Sequence, residues 1–139
     1  MTVLDTSGVV DYLLGAGVAG QVQEMMSAEG ELAAPDVLVF EVLAVLRRES
    51  HRKALTDDRA ARAVEDLGDL SIELFPSLPL RERAWALRRN FTAADALFVV
   101  LAEDLDEPFA TKDNALAREI TKHATVTVLE LGDTTPRHR

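Results

Sequence analysis

The chain opens with the stretch that decides its fold, TVLDTSGVVDYLL at residues 2–14. Its first three residues form a short, mainly apolar run that predicts a β-strand, and Asp5 then ends the strand with a side chain suited to capping a helix. The apolar residues that follow recur at the spacing of one helix face: Val9, Val10, Leu13 and Leu14. This stretch therefore predicts a strand that passes directly into a helix.

The same alternation continues along the chain. Further strands are predicted at 32–34, 72–75, 108–110 and 126–129, and further helices at 18–28, 37–49, 56–69, 80–89, 92–104 and 114–121. Strands that alternate with helices form a parallel sheet with right-handed crossovers. We therefore expect an α/β fold in a single domain, residues 1–131, with a short parallel sheet of four to five strands flanked by helices on both faces. Residues 132–139 are expected to form a polar C-terminal tail.

The composition of the 139 residues fits one globular domain, with 47% hydrophobic and 28% charged residues. The absence of cysteine excludes a disulfide framework, a thiolate metal site and a cysteine nucleophile. No apolar run reaches the roughly 18 residues of a membrane span and no signal peptide is visible, so we expect a cytoplasmic protein. The net charge of −9 indicates either a protein that avoids nucleic acid or one that binds cations and a basic partner.

Four acidic residues stand out by their positions in this pattern. Asp5 and Asp113 come just after the first and fourth predicted strands, and ligands of parallel sheets bind where the strands end. Glu41 lies among nine apolar neighbours at 37–46, so its carboxylate is expected to be partly buried. Because burying a charge is costly unless it is paired or binds a metal, this position favours a functional role. Asp95 also lies in an apolar helix, and all four side chains can converge on one cleft.

Each acid also has a purely structural interpretation. Asp5 and Asp113 stand where the N-cap of a following helix belongs, and Asp95 lies three residues after a threonine, as in a capping box. Glu41 can belong to a narrow polar face of its helix. If these interpretations hold for all four acids, the chain is a non-catalytic interaction module that binds no metal.

A cluster of carboxylates selects hard divalent cations. Like charges repel one another unless cations lie among them, and oxygen ligands prefer Mg²⁺ or Mn²⁺. None of the three histidines lies in the segments that carry the acids, which disfavours a zinc site and histidine general-base chemistry. Metal ions held by carboxylates activate water and stabilise the leaving oxygen in phosphodiester hydrolysis. The four acids therefore predict a phosphodiesterase with Mg²⁺ as its cofactor and Mn²⁺ as a substitute.

Four segments of the chain resemble the PIN-domain ribonucleases, and most of all the VapC-type toxins of bacterial toxin–antitoxin pairs. They are the residues from Asp5 to Leu14, the helix that carries Glu41, TAADAL at 92–97 and TKDNALA at 111–117. The resemblance covers residues 1–131. It implies that Mg²⁺ or Mn²⁺ is bound by four ligands, of which the last varies most in the family: Asp5, Glu41, Asp95 and Asp113. It also implies supporting roles for Thr6, Ser7 and Thr111.

The resemblance further implies a biological role. Such a protein is a Mg²⁺-dependent endoribonuclease of a type II toxin–antitoxin system, which cleaves structured RNA (tRNA or rRNA) in exposed loops and arrests growth. It forms a homodimer and is blocked by a VapB-type antitoxin, whose tail often places an arginine among the carboxylates. Independently of the family, four arginines in basic clusters can bind RNA phosphates: Arg47, Arg48, Arg88 and Arg89.

One motif favours a different function. The segment GAGVAG, Gly15–Gly20, matches the G-x-G-x-x-G pattern of dinucleotide-binding turns. If residues 9–14 form a strand, Asp36 lies near the position of a ribose-binding acid and the chain is a small nucleotide-binding domain. Asp11 would then lie inside a central strand, and the next strand at 32–34 would be very short. These two points favour a loop between two helices at 15–20 instead.

Overall fold

The computed structural model describes residues 1–28 and 30–132, which form five strands and seven α-helices. The strands are β1 (Thr2–Leu4), β2 (Leu32–Pro35), β3 (Ile72–Phe75), β4 (Phe109–Thr111) and β5 (Val128–Glu130). The helices are α1 (Thr6–Leu14), α2 (Ala19–Ser27), α3 (Val37–His51), α4 (Asp57–Asp69), α5 (Arg81–Ala86), α6 (Ala93–Leu105) and α7 (Asn114–His123). A short 3-10 helix, Leu78–Leu80, leads into α5. Apart from Gly132, the tail expected at 132–139 lies outside the described residues.

The five strands pair in parallel in one sheet of order β3-β2-β1-β4-β5. The order reverses at β1, because the chain moves outward through β2 and β3 and then crosses back to β4 and β5. Since such crossovers are right-handed, helices α1 to α4 lie on one face of the sheet and α5 to α7 on the other. The predicted α/β fold, a short parallel sheet between two layers of helices, is confirmed.

The central strands are buried and supply the core that holds the site in place. Val3 and Leu4 of β1, Ala33 of β2 and Phe109 of β4 have no exposed surface. Phe98 of α6 packs on the sheet with its ring steeply inclined to that of Phe109, at 6.2 Å between ring centroids. Burying a side chain of this size stabilises the fold by about 2–3 kcal/mol. Helix α6 is thereby anchored against β1, β2 and β4.

The helix predicted at 80–89 is too long. Helix α5 ends at Ala86, and residues 87–90 form a turn. The amides of Leu87, Arg88 and Asn90 donate to carbonyls three residues back, so the four-residue ladder of the α-helix stops. The apolar spacing of this segment continues past that point, which is why the sequence alone placed the end too late.

The glycine-rich segment 15–20 follows a helix and not a strand, so the nucleotide-binding interpretation is wrong. Residues 9–14 belong to α1, and Gly15 is its C-cap in the left-handed conformation, with φ 64°. Gly17 is also left-handed, with φ 51°, and an added Cβ would lie 2.1 Å from Asp11 Oδ2. The glycines therefore serve a tight turn between α1 and α2, whereas a dinucleotide site needs a strand before its first glycine.

The described helices are all short. The longest, α3, has 15 residues, and α4 and α6 have 13 each. No helix in residues 1–28 or 30–132 has the length and the apolar run that crossing a bilayer requires.

Candidate active site

The four acids singled out in the sequence lie around one cleft at the carboxyl edge of the sheet. The cleft has a volume of about 740 Å³ and lies where the strand order reverses, between β1 and β4. Asp5 follows β1, Asp113 comes two residues after β4, Glu41 lies on α3 and Asp95 lies on α6. Ligands of wound parallel sheets bind at such a reversal, because the neighbouring crossovers leave on opposite faces and open a crevice. All four acidic side chains line it.

Asp5 is the most buried of these acids, with 7% of its surface exposed. Its Oδ1 accepts hydrogen bonds from Ser7 Oγ at 3.0 Å and from the Gly8 amide at 3.1 Å, and its Oδ2 accepts one from Thr111 Oγ1 at 2.5 Å. Burial raises the pKa of the Asp5 carboxyl above 3.8, the hydrogen bonds counteract part of that rise, and the charge of Asp113 adds to it. Asp5 is thus held in a fixed direction, in surroundings that favour a cation as its partner.

Glu41 lines the cleft from α3, and Thr6 holds its carboxylate. Helix α3 buries Leu38, Val42 and Leu46 in the core, which leaves Glu41 at the edge of the buried face and half-buried. Thr6 Oγ1 donates to Glu41 Oε1 at 2.5 Å and so joins the start of α1 to α3. Hydrogen bonds to a charged group contribute about 1.5–3 kcal/mol each. The partial burial expected for Glu41 is confirmed.

The charges of all three other acids act on the pKa of the Asp95 carboxyl. Asp95 is the third residue of α6, and its amide donates to the capping Thr92 Oγ1 at 3.1 Å. Burial raises the pKa of the Asp95 carboxyl, and its hydrogen bond with the Thr92 side chain lowers that pKa in part. Three further charges raise the pKa, those of Glu41, Asp5 and Asp113. Four like charges therefore face the same space.

Asp113 is linked to Asp5 through a shared threonine. Its Oδ1 accepts a hydrogen bond from the Leu116 amide at 3.0 Å, and its own amide donates to Thr111 Oγ1 at 3.0 Å. The same Thr111 hydroxyl donates to Asp5 Oδ2. Because Thr111 is almost fully buried, with 1% exposed, this link fixes the end of β4 relative to the end of β1. Asp113 itself is exposed, in contrast to Asp5.

Two of the acids are helix caps, as their structural interpretation predicted. Asp5 caps α1 through the Gly8 amide, and Asp113 caps α7 through the Leu116 amide. A carboxylate offers about four acceptor positions, so Asp5, with three accepted hydrogen bonds, and Asp113, with one, each keep room for a cation. Asp95 is not itself an N-cap, but the hydroxyl of the N-cap Thr92 accepts from its amide, which is the threonine half of the predicted capping box. Capping therefore orients two of the carboxylates and does not exclude metal binding.

The donor set of the cleft suits a hard divalent cation. The described residues that line it offer carboxylate and hydroxyl oxygens and neither histidine nor cysteine. As the side chains stand, no three carboxylate or imidazole groups in the described part of the chain are close enough to share one ion. The donor chemistry of the cleft therefore suits a hard divalent cation, and its carboxylates would have to move closer together to share one.

Of the four arginines predicted to bind RNA, Arg48 alone lines the cleft. Arg47 is exposed on α3 outside the cleft, and Arg88 and Arg89 lie in the exposed turn after α5. The Arg88 guanidinium stacks over the ring of Trp85, 4.6 Å from its centroid, in a cation–π contact at the surface. The structure therefore brings one of the four arginines to the acids and leaves three away from them.

Three charged residues of the cleft wall were missed by the sequence analysis, Asp11, Glu49 and Lys112. Lys112 Nζ lies 2.7 Å from Asp11 Oδ2, which also accepts a hydrogen bond from the Val18 amide at 3.1 Å. Asp11 and Lys112 each lie close in sequence to one of the four acids, which was the available signal. Their pairing across 101 residues of chain follows only from the fold.

Comparisons with known proteins give the family. Residues 2–119 match the PIN domain family. The chain is 38% identical over 116 residues to Ribonuclease VapC1 of Mycobacterium tuberculosis, covering 83% of this chain and 87% of the relative. It is 32% identical over 129 residues to VapC ribonuclease Mb0985 of Mycobacterium bovis, covering 93% and 98%. The crystal structure of PAE2754 from Pyrobaculum aerophilum has the same fold, with a TM-score of 0.68 at 19% identity over 91% of this chain and 81% of that chain. The chain therefore belongs to the PIN-domain family, within which it is a VapC-type protein.

Proposed function

We propose that this protein is a Mg²⁺-dependent endoribonuclease that acts as the toxin of a type II toxin–antitoxin system, with Mn²⁺ as a substitute cofactor. The observation that carries the proposal is the convergence of four acids on one cleft at the reversal of strand order: Asp5, Glu41, Asp95 and Asp113. Carboxylates that share a cleft are unfavourable unless cations bind among them. The ribonuclease names of the VapC relatives support RNA as the substrate.

In this proposal the four acids are the metal ligands, and neighbouring hydroxyls position two of them, Asp5 and Glu41. The hydroxyls are those of Thr6, Ser7 and Thr111. Mg²⁺ held by these carboxylates would supply charge that makes an attacking water more acidic and that offsets the charge developing on the phosphate. The protein contributes hydrogen bonds donated to the carboxylates of Asp5, Glu41 and Asp113, which restrict their directions and favour their ionised forms.

We further propose that the substrate is a structured RNA, tRNA or rRNA, cut in an exposed loop. Unpaired loops can enter a crevice and be read there, which a duplex cannot do as easily. We assign this activity to residues 1–131, with residues 132–139 as a tail outside the nuclease domain. The protein is proposed to act in the cytoplasm as a homodimer and to arrest growth when free.

A VapB-type antitoxin is the proposed inhibitor. The net charge of −9 and the four acids of the cleft favour a basic partner, because opposite charges attract the two chains and complement each other on contact. An arginine placed among the carboxylates would compete with the metal ion for the same oxygens. Inhibition by the antitoxin and activation by the metal would therefore involve the same side chains.

Incubation of the purified protein with tRNA and rRNA tests the nuclease proposal. We expect cleavage with Mg²⁺ or Mn²⁺, no cleavage in EDTA, and products with 5′-phosphate ends. Asp5→Asn and Asp95→Asn should each lose about a hundredfold or more in rate, because even residues that only support metal ligands are worth about 10–100-fold. The control is Asp106→Asn at the exposed C-cap of α6, which should keep the activity. Full cleavage in EDTA would refute the metal mechanism.

Expression in the absence of an antitoxin separates a toxin from an interaction module. Wild type should arrest growth of its host or a close relative, and Asp95→Asn should not, although it still folds. The non-catalytic alternative predicts that both proteins affect growth alike and that neither cleaves RNA. Circular dichroism of the variant confirms that loss of toxicity is not loss of the fold.

A further inference from the structure

The cleft wall beside the four acids carries an ion pair that the proposed metal site does not use. Lys112 Nζ lies 2.7 Å from Asp11 Oδ2, and both side chains line the cleft. Lys112 stands between Thr111, which holds Asp5, and Asp113. Its side chain is 39% exposed and that of Asp11 is 14% exposed. The wall of this acidic cleft therefore carries one ammonium group, that of Lys112, which a ligand in the cleft can contact.

Asp11 fixes the place of this cation. Its Oδ2 accepts the Val18 amide in the turn between α1 and α2, and the left-handed Gly17 lets the backbone come close to the carboxylate. Because Asp11 is anchored in this way, it holds the Lys112 ammonium at a defined point. A lysine next to Asp113 would otherwise be attracted to the acids and would compete there with a divalent cation. The pair with Asp11 leaves the four acids free for the metal.

The ion pair does not use the full binding capacity of the lysine. An ammonium group has three N–H donors, and the hydrogen bonds of the described residues give Lys112 one acceptor, Asp11. Asp11 already has a structural partner in the Val18 amide, and partly exposed ion pairs add little to stability. Two donors thus remain for an anionic ligand in the cleft.

We propose that Lys112, held by Asp11, binds a backbone phosphate of the RNA as the chain passes the acidic cluster. The inference rests on the proposed ribonuclease function. Phosphate is the anion that RNA brings into the cleft whatever its sequence, and protein cations commonly set the register of the strand by binding it. Four carboxylates repel that backbone, so a fixed ammonium in the same cleft offsets the repulsion. Arg48 also lines the cleft, from α3, where its guanidinium lies 3.5 Å from the carboxylate of Glu49.

RNA binding measured without cleavage tests the role of Lys112. Wild type and Lys112→Gln are titrated into a fluorescently labelled single-stranded RNA in Ca²⁺ at several salt concentrations, and a gel checks that the probe is intact. Lys112→Gln should weaken binding about two- to fivefold at low salt, as expected for one partly exposed charge contact. It should also reduce the slope of log affinity against log salt by about 0.7, the value for one phosphate contact on a single strand. Lys112→Arg keeps the charge and should keep the slope.

Lys122→Gln is the matched control, because Lys122 pairs with Glu119 on α7 outside the cleft and should not affect binding. An unchanged slope in Lys112→Gln would overturn the inference, even if its Tm falls, since a structural ion pair alters stability and not the number of phosphate contacts. Failure of the proposed function looks different: wild type then binds RNA with the expected dependence on Lys112 but does not cleave it in Mg²⁺. A wild type that does not bind the probe contradicts both.

Discussion

Metal-dependent stabilisation of the fold tests the acidic cluster without any substrate. We choose Asp95→Asn because the charges of three other acids raise the pKa of Asp95 and because Asp95 is not an N-cap. At the N-terminal end of α6 an ionised carboxylate gains about 0.3–1 kcal/mol from the helix dipole. The pKa of Asp95 is nevertheless raised, so burial and the neighbouring charges outweigh that gain. In EDTA the variant should therefore be at least as stable as the wild type.

The response to metal is where the two proteins should differ. An ion that binds only the folded state stabilises it by about 2.7 kcal/mol at a hundredfold excess over Kd. At about 3–4 °C per kcal/mol for a chain of this size, the Tm of the wild type should rise by about 8–11 °C. If loss of one ligand weakens binding ten- to a hundredfold, the same metal concentration gives Asp95→Asn only about 0.4–1.4 kcal/mol, or about 1–6 °C.

Thermal melts of three proteins in EDTA and in millimolar Mn²⁺ or Mg²⁺ measure this difference. The third protein is Asp106→Asn, which changes an exposed aspartate at the other end of the same helix. Asp106 has φ 53°, a conformation that asparagine tolerates well, so the control should fold and should gain as much from metal as the wild type. Equal metal responses in all three proteins would refute the assignment of Asp95 to the metal site. A loss of stability in Asp95→Asn without any response to metal would show a purely structural role.

Two further predictions concern pH and the turn after α1. Because burial raises the folded-state pKa of Asp5 and Asp95 above 3.8, their protonated forms stabilise the fold below pH 3.8, and this contribution is lost as the pH rises through the raised pKa values. In EDTA, the Tm of the wild type minus that of Asp95→Asn should therefore fall as the pH is raised. A Tm difference that stays constant with pH would contradict the raised pKa of Asp95. Gly17→Ala should lower the free energy of unfolding by about 1–3 kcal/mol, because its Cβ would meet Asp11 Oδ2 and its φ is positive. Urea unfolding of Gly17→Ala is compared with that of Gly20→Ala, whose added Cβ would meet open space. Equal unfolding midpoints of the two variants would show that the turn adapts.

The alternation of strands and helices, and with it the α/β fold, could be predicted from the sequence because apolar spacing is a local property. The buried run before Asp5 and the helical spacing after it are set by neighbours within a few residues. The same local reading placed Asp5 and Asp113 at strand ends and Glu41 in an apolar helix. It failed at the end of α5, where the backbone turns after Ala86 although the apolar spacing continues.

The amino-acid sequence by itself therefore determined the fold class and the four candidate acids, since both depend on local patterns and on the rule that parallel strands end at one edge. Only the tertiary structure decided which groups support each acid. Thr6 reaches Glu41 across 35 residues and Thr111 reaches Asp5 across 106, while Lys112 is held by Asp11 across 101. Such partners are set by the reversal of strand order, which brings β4 beside β1, and no spacing along the chain encodes the resulting distances.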